Sequence, residues 1–267
     1  MKPILKWAGG KYKLLPQIKE MLPPGISLIE PFAGGASVSL NVEGYERYWL
    51  NDSNKDLINF YRFLIEYGED IIPVLEAAFT PDHNTPEYYY SARHVFNTTQ
   101  DFVNKCVHFL YLNRHCYNGL MRYNQKGKFN VSFGKYKKPY FPKSEILDFI
   151  KKGPNISLSS VDFQTVMRPW YPGSVIYCDP PFVPLSSTAN FTEFTYTGFG
   201  LKDQQRLVQT SKECAACGIP VLISNHDTEL TRELYKEATE IRSLDVQRNI
   251  SCKTRGKVKE LLALYTI

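Results

Sequence analysis

Short apolar runs and helically spaced segments alternate near the N-terminus of the chain. Residues 26–30 and 48–52 are apolar runs of strand length, and residues 57–65 place apolar side chains at helical spacing. Between the two runs, a loop of small residues at 31–37 leads into residues 38–40, which we expect to open a helix. This strand–loop–helix–strand–helix order is typical of a parallel α/β sheet.

A second series with the same pattern begins near Ile156. The strands predicted after this point span residues 174–179, 220–225 and 261–265, and a helix is predicted at 202–216. We therefore expect one α/β sheet that is divided in the sequence but continuous in space.

Residues 56–150, which separate the two series, have a different character. They are rich in Tyr, Phe, Asn and Lys, and they lack short apolar runs joined by glycine-rich turns. We interpret this stretch as a mainly helical inserted domain with a basic loop or hairpin near residues 124–138. Residues 1–55 and 151–267 would then form the domain that contains the sheet. A loop at 186–200, rich in Ser, Thr, Phe and Gly, is expected to be mobile and exposed.

The positive charge of the chain is concentrated in the predicted insertion. The 267 residues include 32 Lys and Arg and 27 Asp and Glu, a net charge of +5, but eleven basic and only two acidic residues lie between Lys105 and Lys152. This distribution indicates a basic face.

No apolar run reaches the roughly 18 residues of a membrane span, and the first residues lack the apolar core of a secretory signal. Six scattered cysteines favour a reducing, cytoplasmic compartment.

Two further features are interpreted as structural. Cys214 and Cys217 have zinc-like spacing, but they lack a second pair of ligands, so no metal site is predicted. His226 has no nucleophile near it in the sequence. We therefore interpret it as a packing or loop-anchoring residue rather than a general base.

The loop after the first predicted strand has the composition of a ligand-binding loop. Gly34, Gly35 and Ala36 allow the backbone to approach a ligand closely, and a following helix would present unpaired N–H groups to it. Asp52 ends the next predicted strand, where an acid can accept hydrogen bonds from ribose hydroxyls. These residues indicate a nucleoside-bearing cofactor, although the loop matches neither G-x-G-x-x-G nor G-x-x-x-x-G-K-[ST]. By itself, the loop fits equally well with a plain turn followed by an N-capping acid.

Asp179-Pro180-Pro181-Phe182 directly follows an apolar strand, at the carboxyl edge where open α/β sheets bind ligands. The two prolines stiffen the turn and lack N–H donors, so carbonyl oxygens are expected to point outward. A carboxylate, a carbonyl and an aromatic ring held together suit a planar ring that bears an amino group. They supply two hydrogen-bond acceptors and a face for stacking.

Several motifs closely resemble, in the same order, those of the α-group amino-methyltransferases, and of the Dam family of DNA adenine methyltransferases in particular. Because the motifs cover nearly the whole chain, the resemblance is specific. They are Lys6-Trp7-Ala8-Gly9-Gly10-Lys11, Glu30-Pro31-Phe32-Ala33-Gly34-Gly35, residues 112–124 (LNRHCYNGLMRYN), Phe129-Asn130-Val131, residues 133–142 (FGKYKKPYFP), Asp179-Pro180-Pro181-Phe182 and Ile223-Ser224-Asn225-His226-Asp227-Thr228.

The resemblance implies a Rossmann-like sheet that uses S-adenosylmethionine, with an inserted, mainly helical DNA-recognition domain and no metal. It implies catalytic roles for Asp179, Pro180 and Phe182. A looser match sets Asp162 and Phe163 beside the adenine of the cofactor. The positions that match the family's contacts to S-adenosylmethionine, and hence to its product S-adenosylhomocysteine, are Trp7, Lys11, Phe32, Gly34, Asp52 and Asp179.

The resemblance also implies double-stranded DNA containing GATC as the partner, with methyl transfer to its flipped-out adenine. The positions that match DNA contacts are Lys6, Tyr117, Asn118, Leu120, Arg122 and Tyr136. Within that set, Lys6 and Arg122 match guanine contacts, and Tyr117 matches a wedge in the base stack. Lys135 and Lys137, in the basic loop, are interpreted as phosphate contacts. We expect a monomer with no membrane contact and no obligate protein partner.

Three residues depart from the family pattern, and two other function classes stay open. Phe182 replaces a Tyr but keeps the stacking face, so methylation should survive. Ala36 stands where many relatives have Gly, and Ser132 replaces a Pro in the DNA-reading segment, which puts discrimination at one base position in question. The other classes are a related methyltransferase acting on RNA or a protein amide, whose motif would more often begin with Asn, and a GATC-binding protein without catalysis. Repair, replication control and restriction–modification are open as biological roles.

Overall fold

A computed structural model describes residues 1–168, 171–182, 199–247 and 257–267. The chain divides into two compact units, which we call the helical unit and the sheet unit. The helical unit consists of Met1–Tyr12, Gly34–Asn41 and Asn54–Ser160. The sheet unit consists of Lys13–Ala33, Val42–Ser53 and Val161–Ile267. The loop predicted at 186–200 lies, as far as residue 198, outside the described residues.

The strands of the described chain bear out the predicted sheet. They are β1 (Ser27–Glu30), β2 (Arg47–Asn51), β3 (Ile156–Ser159), β4 (Ser174–Cys178), β5 (Val221–His226), β6 (Glu240–Gln247) and β7 (Lys257–Tyr265). Those of the sheet unit, which exclude β3, follow the order β2–β1–β4–β5–β7–β6. β1 is parallel to β2 and β4, and β4 is parallel to β5, whereas β7 runs antiparallel to β5 and β6. The mostly parallel α/β sheet expected of a Rossmann-like fold is therefore confirmed.

β6 is a strand that the apolar pattern did not predict. Among its eight residues, only Ile241, Leu244 and Val246 are apolar, and charged residues separate them. β6 pairs with β7 and stands last in the strand order. An edge strand needs fewer apolar side chains than a central one, which explains why its sequence gave little signal.

The helices at 163–167 and 201–216 of the sheet unit contribute to an apolar core. The core brings Leu207 and Cys214 together with Ile176, Ile223 and Leu261, all buried. Leu207 and Cys214 lie seven residues apart, two turns along one face of the helix predicted at 202–216, which is confirmed. The α-helices of this unit are α1 (Leu15–Met21), α7 (Phe163–Met167), α8 (Leu201–Ala216) and α9 (Glu229–Leu234).

The helical unit contains three helices with side-chain N-caps and an aromatic core. The side chains of Asn54, Thr85 and Asp101 each accept a backbone hydrogen bond at the start of a helix. The rings of Phe60 and Phe109 lie 5.5 Å apart. The α-helices here are α2 (Lys55–Tyr67), α3 (Ile72–Ala77), α4 (Pro86–Thr98), α5 (Phe102–His115) and α6 (Lys143–Lys152). Short 3-10 helices of the chain are Tyr12–Leu14, Gly68–Ile71, Pro81–His83, Tyr117–Gly119 and Gly153–Asn155.

The units do not divide the chain at the predicted domain boundaries. Met1–Tyr12 and Gly34–Asn41 fall in the same unit as the predicted insertion, rather than with the sheet. Across the described part of the chain, no helix combines the length and apolarity needed to cross a bilayer.

The helix expected to open at residues 38–40 does not form. The segment is a turn, in which Leu40 N–H donates to the Ala36 carbonyl (3.0 Å) and Asn41 N–H donates to the Val38 carbonyl (2.9 Å). Ala36 has a left-handed φ of +52°, and the Asn41 side chain donates to the Ser37 carbonyl (2.8 Å). The prediction was wrong because this side chain takes over a carbonyl that a helix would pair internally.

Candidate functional site

Asp179 lies at the carboxyl end of β4, beside the middle of β5. β4 is buried along its whole length and pairs with β5 in a parallel register that sets Cys178 opposite Ile223. Asp179, the residue that follows β4, therefore lies beside Ser224, the next residue of β5. Ser224 Oγ donates a hydrogen bond to Asp179 Oδ1 (3.0 Å).

A second buried hydroxyl continues this contact. The Tyr177 hydroxyl donates to Ser224 Oγ (3.0 Å), and both side chains are buried. Burial raises the pKa of the Tyr177 phenol well above its ordinary value, and the nearby Asp179 charge raises it further. The phenol therefore stays protonated and acts as a donor. Asp179 thus ends a chain of hydrogen bonds that begins in the core of the sheet.

The Pro181 carbonyl is fixed by a separate network from α8 and β5. Gln204 Nε2 donates to Pro181 O (2.9 Å), and Gln204 Oε1 accepts from the Tyr235 hydroxyl (3.1 Å) and from Asn225 Nδ2 (3.3 Å). Gln204, Asn225 and Tyr235 are all buried. The expectation that carbonyls of this turn point outward is therefore wrong for Pro181, because an internal amide takes its oxygen.

The ring of Phe182 packs edge-on against His226. Their centroids are 4.4 Å apart at an interplanar angle of 70°. His226 is the last residue of β5 and is buried, whereas Phe182 is half-buried. The contact between His226 and Phe182 gives the histidine a packing partner within the turn that follows β4.

Asn51 organises the carboxyl ends of β1 and β2. Its side-chain amide donates to the carbonyls of Pro31 (2.9 Å) and Val161 (3.1 Å). Its backbone carbonyl accepts from Ala33 N–H (2.8 Å). Asn51 therefore shapes the loop that follows β1. Asp52 comes directly after it and is half-buried.

Phe32 and Phe163, both expected near the cofactor, are packed together with Phe199. Phe32 lies 5.4 Å from each of the two other rings, measured between centroids. Asp162 caps the start of α7 and pairs with Arg206, whose Nη2 lies 3.1 Å from Asp162 Oδ1. This carboxylate is therefore engaged by a guanidinium.

In the helical unit, Trp7 and Gly34 are in direct contact. Gly34 has a φ of +47°, and a Cβ added there would lie 2.8 Å from Trp7 Cδ1. The Tyr61 hydroxyl donates to the Gly34 carbonyl (2.8 Å). Lys11 is buried, and its ammonium donates to the Gly9 carbonyl (2.7 Å). The first loop is thus packed so closely that only glycine fits at position 34.

Lys6, Asn118 and Tyr136 meet at one place in the helical unit. The Lys6 ammonium lies 3.7 Å from the centre of the Tyr136 ring, and Asn118 N–H donates to the Tyr136 hydroxyl (3.0 Å). The Lys6 backbone pairs in both directions with the Asn113 side chain, at 2.9 and 2.8 Å. Burial lowers the pKa of the Lys6 ammonium, and the charge of Arg114 lowers it further.

The residues after α5 present exposed apolar side chains. Tyr117 is 48% exposed and Leu120 is 39% exposed. Asn118, between them, has a left-handed φ of +54°. A Cβ added at Gly119 would collide with the Lys6 side chain. The 3-10 turn is therefore shaped around Lys6.

The basic segment near residues 124–138 is a loop held by two isolated antiparallel bridges. Tyr123 bridges Phe129, and Cys116 bridges Phe133. Asn97 on α4 accepts from Phe129 N–H (2.8 Å) and donates to the Phe129 carbonyl (3.0 Å), which pins the loop to the helix. The side chains of Arg122, Lys135 and Lys137 are exposed.

Arg122 is oriented by a neighbour on the same loop. Its Nε donates to Asn130 Oδ1 (2.9 Å), and this bond uses one of the five N–H donors of the guanidinium. Within the described residues, no group of three or more His, Cys, Asp or Glu side chains is arranged to hold a metal ion.

Ser224, Gln204 and Asn51 are site residues for which the sequence predicted no role. The one available signal was their polarity at buried positions. Ser224 and Asn225 interrupt the apolar strand β5, and Asn51 ends β2. Buried polar side chains must find hydrogen-bond partners, so such residues indicate a contact even where the sequence does not show with what.

Comparisons with known proteins identify the family. Residues 7–250 match the family described as D12 class N6 adenine-specific DNA methyltransferase. Proteins named DNA adenine methylase from Salmonella typhi and Escherichia coli strain K12 are each 48% identical over 263 residues, covering 98% of this chain and 94% of the relative. The protein of that name from Serratia marcescens is 46% identical over 264 residues, covering 98% and 97%. The chain therefore belongs to the D12 class of N6 adenine-specific DNA methyltransferases, and it is an enzyme.

Proposed function

We propose that this enzyme transfers a methyl group from S-adenosylmethionine to the N6 amino group of the adenine in GATC, in double-stranded DNA. Family membership establishes methylation of DNA adenine, and a methyltransferase of this family uses S-adenosylmethionine. The proposal adds to this the GATC target, the extrusion of the base and the roles of individual residues.

The observation that carries the proposal is the placement of Asp179. Its carboxylate lies at the carboxyl end of β4, fixed by Ser224, and Phe182 follows three residues later in a proline-stiffened turn. The amino group of adenine is a poor nucleophile because its lone pair is delocalised into the ring. Hydrogen bonds from its N–H groups to Asp179 and to the Pro180 carbonyl would favour a tetrahedral nitrogen and stabilise the positive charge that develops there.

Phe182 supplies the stacking face for the extruded base. Base–aromatic stacking contributes about 1–3 kcal/mol per base in other proteins. Phe182 is half-buried, and its contact with His226 fixes the ring's inclination. The substitution of Tyr by Phe in this motif removes a hydroxyl and keeps the ring, so stacking is retained.

Six residues are assigned to the cofactor in this proposal. The bound cofactor supplies an electrophilic sulfonium methyl group. Gly34 has a positive φ and no room for a Cβ beside the Trp7 indole, so the loop packs directly against a second residue of the assigned set. Asp52 would accept hydrogen bonds from the ribose hydroxyls. The assigned set is Trp7, Lys11, Phe32, Gly34, Asp52 and Asp179.

The DNA side of the proposal rests on exposed and half-buried residues of the helical unit. Extruding a base costs a few kcal/mol, and Tyr117, with nearly half its surface exposed, suits a wedge that fills the gap. Arg122 and Lys6 are assigned to guanines, with about 1–3 kcal/mol of discrimination for a bidentate contact. Leu120 is assigned to a thymine methyl group. The remaining assigned contacts are Asn118, Tyr136, Lys135 and Lys137.

In this proposal residues 1–55 and 151–267 form the catalytic domain, and residues 56–150 recognise DNA together with Lys6. The enzyme acts as a monomer, methylating each strand of the palindrome in a separate event.

Transfer of a labelled methyl group to matched duplexes tests the target. One duplex contains GATC, and its control contains GTAC, which has the same base composition. We expect label only in GATC, and equal labelling of the two duplexes would contradict the specificity. Label in an RNA of the same sequence, or in protein, would favour the related class of methyltransferase.

Asp179→Ala tests the catalytic role. The variant should lose methyl transfer and still bind the GATC duplex, as measured by fluorescence anisotropy. Tight binding of GATC by the wild type without any transfer would instead indicate a binding protein. Turnover by Asp179→Ala at the wild-type rate would refute the mechanism.

A further inference from the structure

Two buried hydroxyl groups lie behind the Asp179 carboxylate. Ser224 Oγ is 3.0 Å from Asp179 Oδ1 and 3.0 Å from the Tyr177 hydroxyl, and Ser224 is fully buried in β5. The third neighbour of Ser224 Oγ is the Cys178 carbonyl, at 3.5 Å. A buried hydroxyl is retained in a central strand only when its hydrogen-bonding capacity is satisfied.

The direction of the hydrogen bonds follows from the chemistry of the three groups. An ionised carboxylate only accepts, so Ser224 must donate to Asp179. The single Ser224 proton is then used, and Tyr177 has to donate to Ser224. The competing acceptor, the Cys178 carbonyl, is 0.5 Å farther away than the carboxylate oxygen and carries no charge. Hydrogen bonds to charged acceptors are about twice as strong as neutral ones.

We propose that Ser224, held by Tyr177, is a positioning residue for methyl transfer, because it fixes the orientation of the Asp179 carboxylate toward the amino group of the substrate. The inference rests on the catalytic role proposed for Asp179. Ser224 touches neither substrate nor cofactor in this proposal and acts through the carboxylate alone. The Asp179 carboxylate is thereby held in place by side chains of both β4 and β5.

Ser224→Ala removes the donor with little change in volume. Ser211→Ala is its matched control, because Ser211 is equally buried in α8 of the same unit and donates only to the Leu207 carbonyl (2.8 Å). We expect the single-turnover rate constant to fall about tenfold in Ser224→Ala, the loss of one hydrogen bond to a charged group. The dissociation constants for DNA and S-adenosylmethionine should stay within about twofold, and Ser211→Ala should match the wild type.

The pH dependence separates positioning from a general loss of stability. A hydrogen bond to the ionised form favours ionisation of a carboxyl, so removing it should move the acid limb of the rate profile to higher pH. Ser224→Thr keeps the hydroxyl and should retain the wild-type profile. Adding Tyr177→Phe to Ser224→Ala should cause no further fall in rate, since Tyr177 acts through Ser224.

Several outcomes would overturn the inference. One is a Ser224→Ala rate equal to that of Ser211→Ala, and another is a fall in rate without a shift of the acid limb. A folded Ser224→Thr protein as slow as Ser224→Ala, or a multiplicative loss in the double variant, would also contradict the chain of hydrogen bonds. Failure of the proposed function is distinguishable, because the wild type would then not methylate GATC or Asp179→Ala would remain active.

Discussion

The Lys6 ammonium lies 3.7 Å from the centre of the Tyr136 ring. The Tyr136 hydroxyl accepts from Asn118 N–H, and the Lys6 backbone is held by the Asn113 side chain. A lysine normally loses much rotamer freedom when it binds a partner. Because the ring contact restricts the Lys6 side chain in advance, less of that entropy would remain to be lost on binding the guanine proposed as its partner.

Tyr136→Leu should therefore weaken recognition by Lys6. A cation–π contact at a partly exposed site contributes about 0.5–1 kcal/mol, so kcat/KM for GATC should fall about two- to fivefold. Tyr136→Phe, which keeps the ring and loses only the hydroxyl, is the control and should fall less. Steady-state kinetics on GATC and on a duplex with its guanine replaced measure the change. Equal discrimination by Tyr136→Leu and the wild type would argue against preorganisation of Lys6.

Arg122 and Lys137 should affect binding in different ways. Arg122→Ala should relax specificity at one base pair by about 1–3 kcal/mol, since a guanidinium reads guanine in the major groove. Asn130→Ala should act in the same direction but less, because Asn130 orients the Arg122 guanidinium. Methylation rates on singly substituted GATC duplexes report both effects.

Lys137→Ala is the contrasting variant, since it removes a charge assigned to phosphate. Its affinity should fall alike for GATC and other sequences, with a smaller salt dependence. Salt titrations of binding provide the measurement. A change of base preference in Lys137→Ala would contradict its assignment to phosphate. An unchanged base preference in Arg122→Ala would contradict its assignment to guanine.

Local patterns in the sequence predicted the elements that the core requires. The apolar runs that became β1, β4 and β5 are buried, and a strand buried on both faces leaves a continuous apolar signature. The same reasoning located Asp179, because the motif follows directly after one of these strands. Each of these predictions depended only on residues close together in the sequence.

Local patterns could not predict contacts between residues that are far apart in the sequence. Ser224 meets Asp179 only because β4 and β5 pair in a particular register, although 45 residues separate the two in the chain. The engagement of the Pro181 carbonyl by Gln204 has the same origin. At residues 38–40 the local signal was itself misleading, since the Asn41 side chain competes for a backbone carbonyl. Register and side-chain competition are properties of the folded chain.

His115 should make stability depend on pH. Burial lowers the pKa of its imidazole from 6.5 to about 4, and its ring stacks on Tyr111 at 3.9 Å between centroids. Between these values the unfolded chain binds a proton that the folded chain does not. The free energy of unfolding should therefore decrease as the pH falls through this range, by up to about 1.4 kcal/mol per pH unit from this group.

His115→Gln removes that titration and keeps a side-chain donor for the Tyr111 carbonyl, which His115 Nδ1 approaches to 2.8 Å. Urea unfolding at several pH values between about 7 and 4.5 should show a flatter dependence for the variant than for the wild type. Parallel curves for the two proteins would show that other groups set the dependence.

Gly34→Ala tests the close approach of the first loop to Trp7. Both Gly34 and Gly44 have a positive φ, at +47° and +94°, so alanine introduces backbone strain of about 1 kcal/mol at either position. Of these two positions, only at Gly34 would the new Cβ meet another group, the Trp7 indole at 2.8 Å, whereas a Cβ at Gly44 would have no atom within 4 Å. Gly44→Ala is therefore the matched control for strain.

We expect Gly34→Ala to raise the dissociation constant for S-adenosylmethionine about tenfold or more, because a loss of about 1.4 kcal/mol of binding free energy already gives that factor. Isothermal titration calorimetry on both variants measures this, and equal affinities would remove Gly34 and Trp7 from the cofactor site.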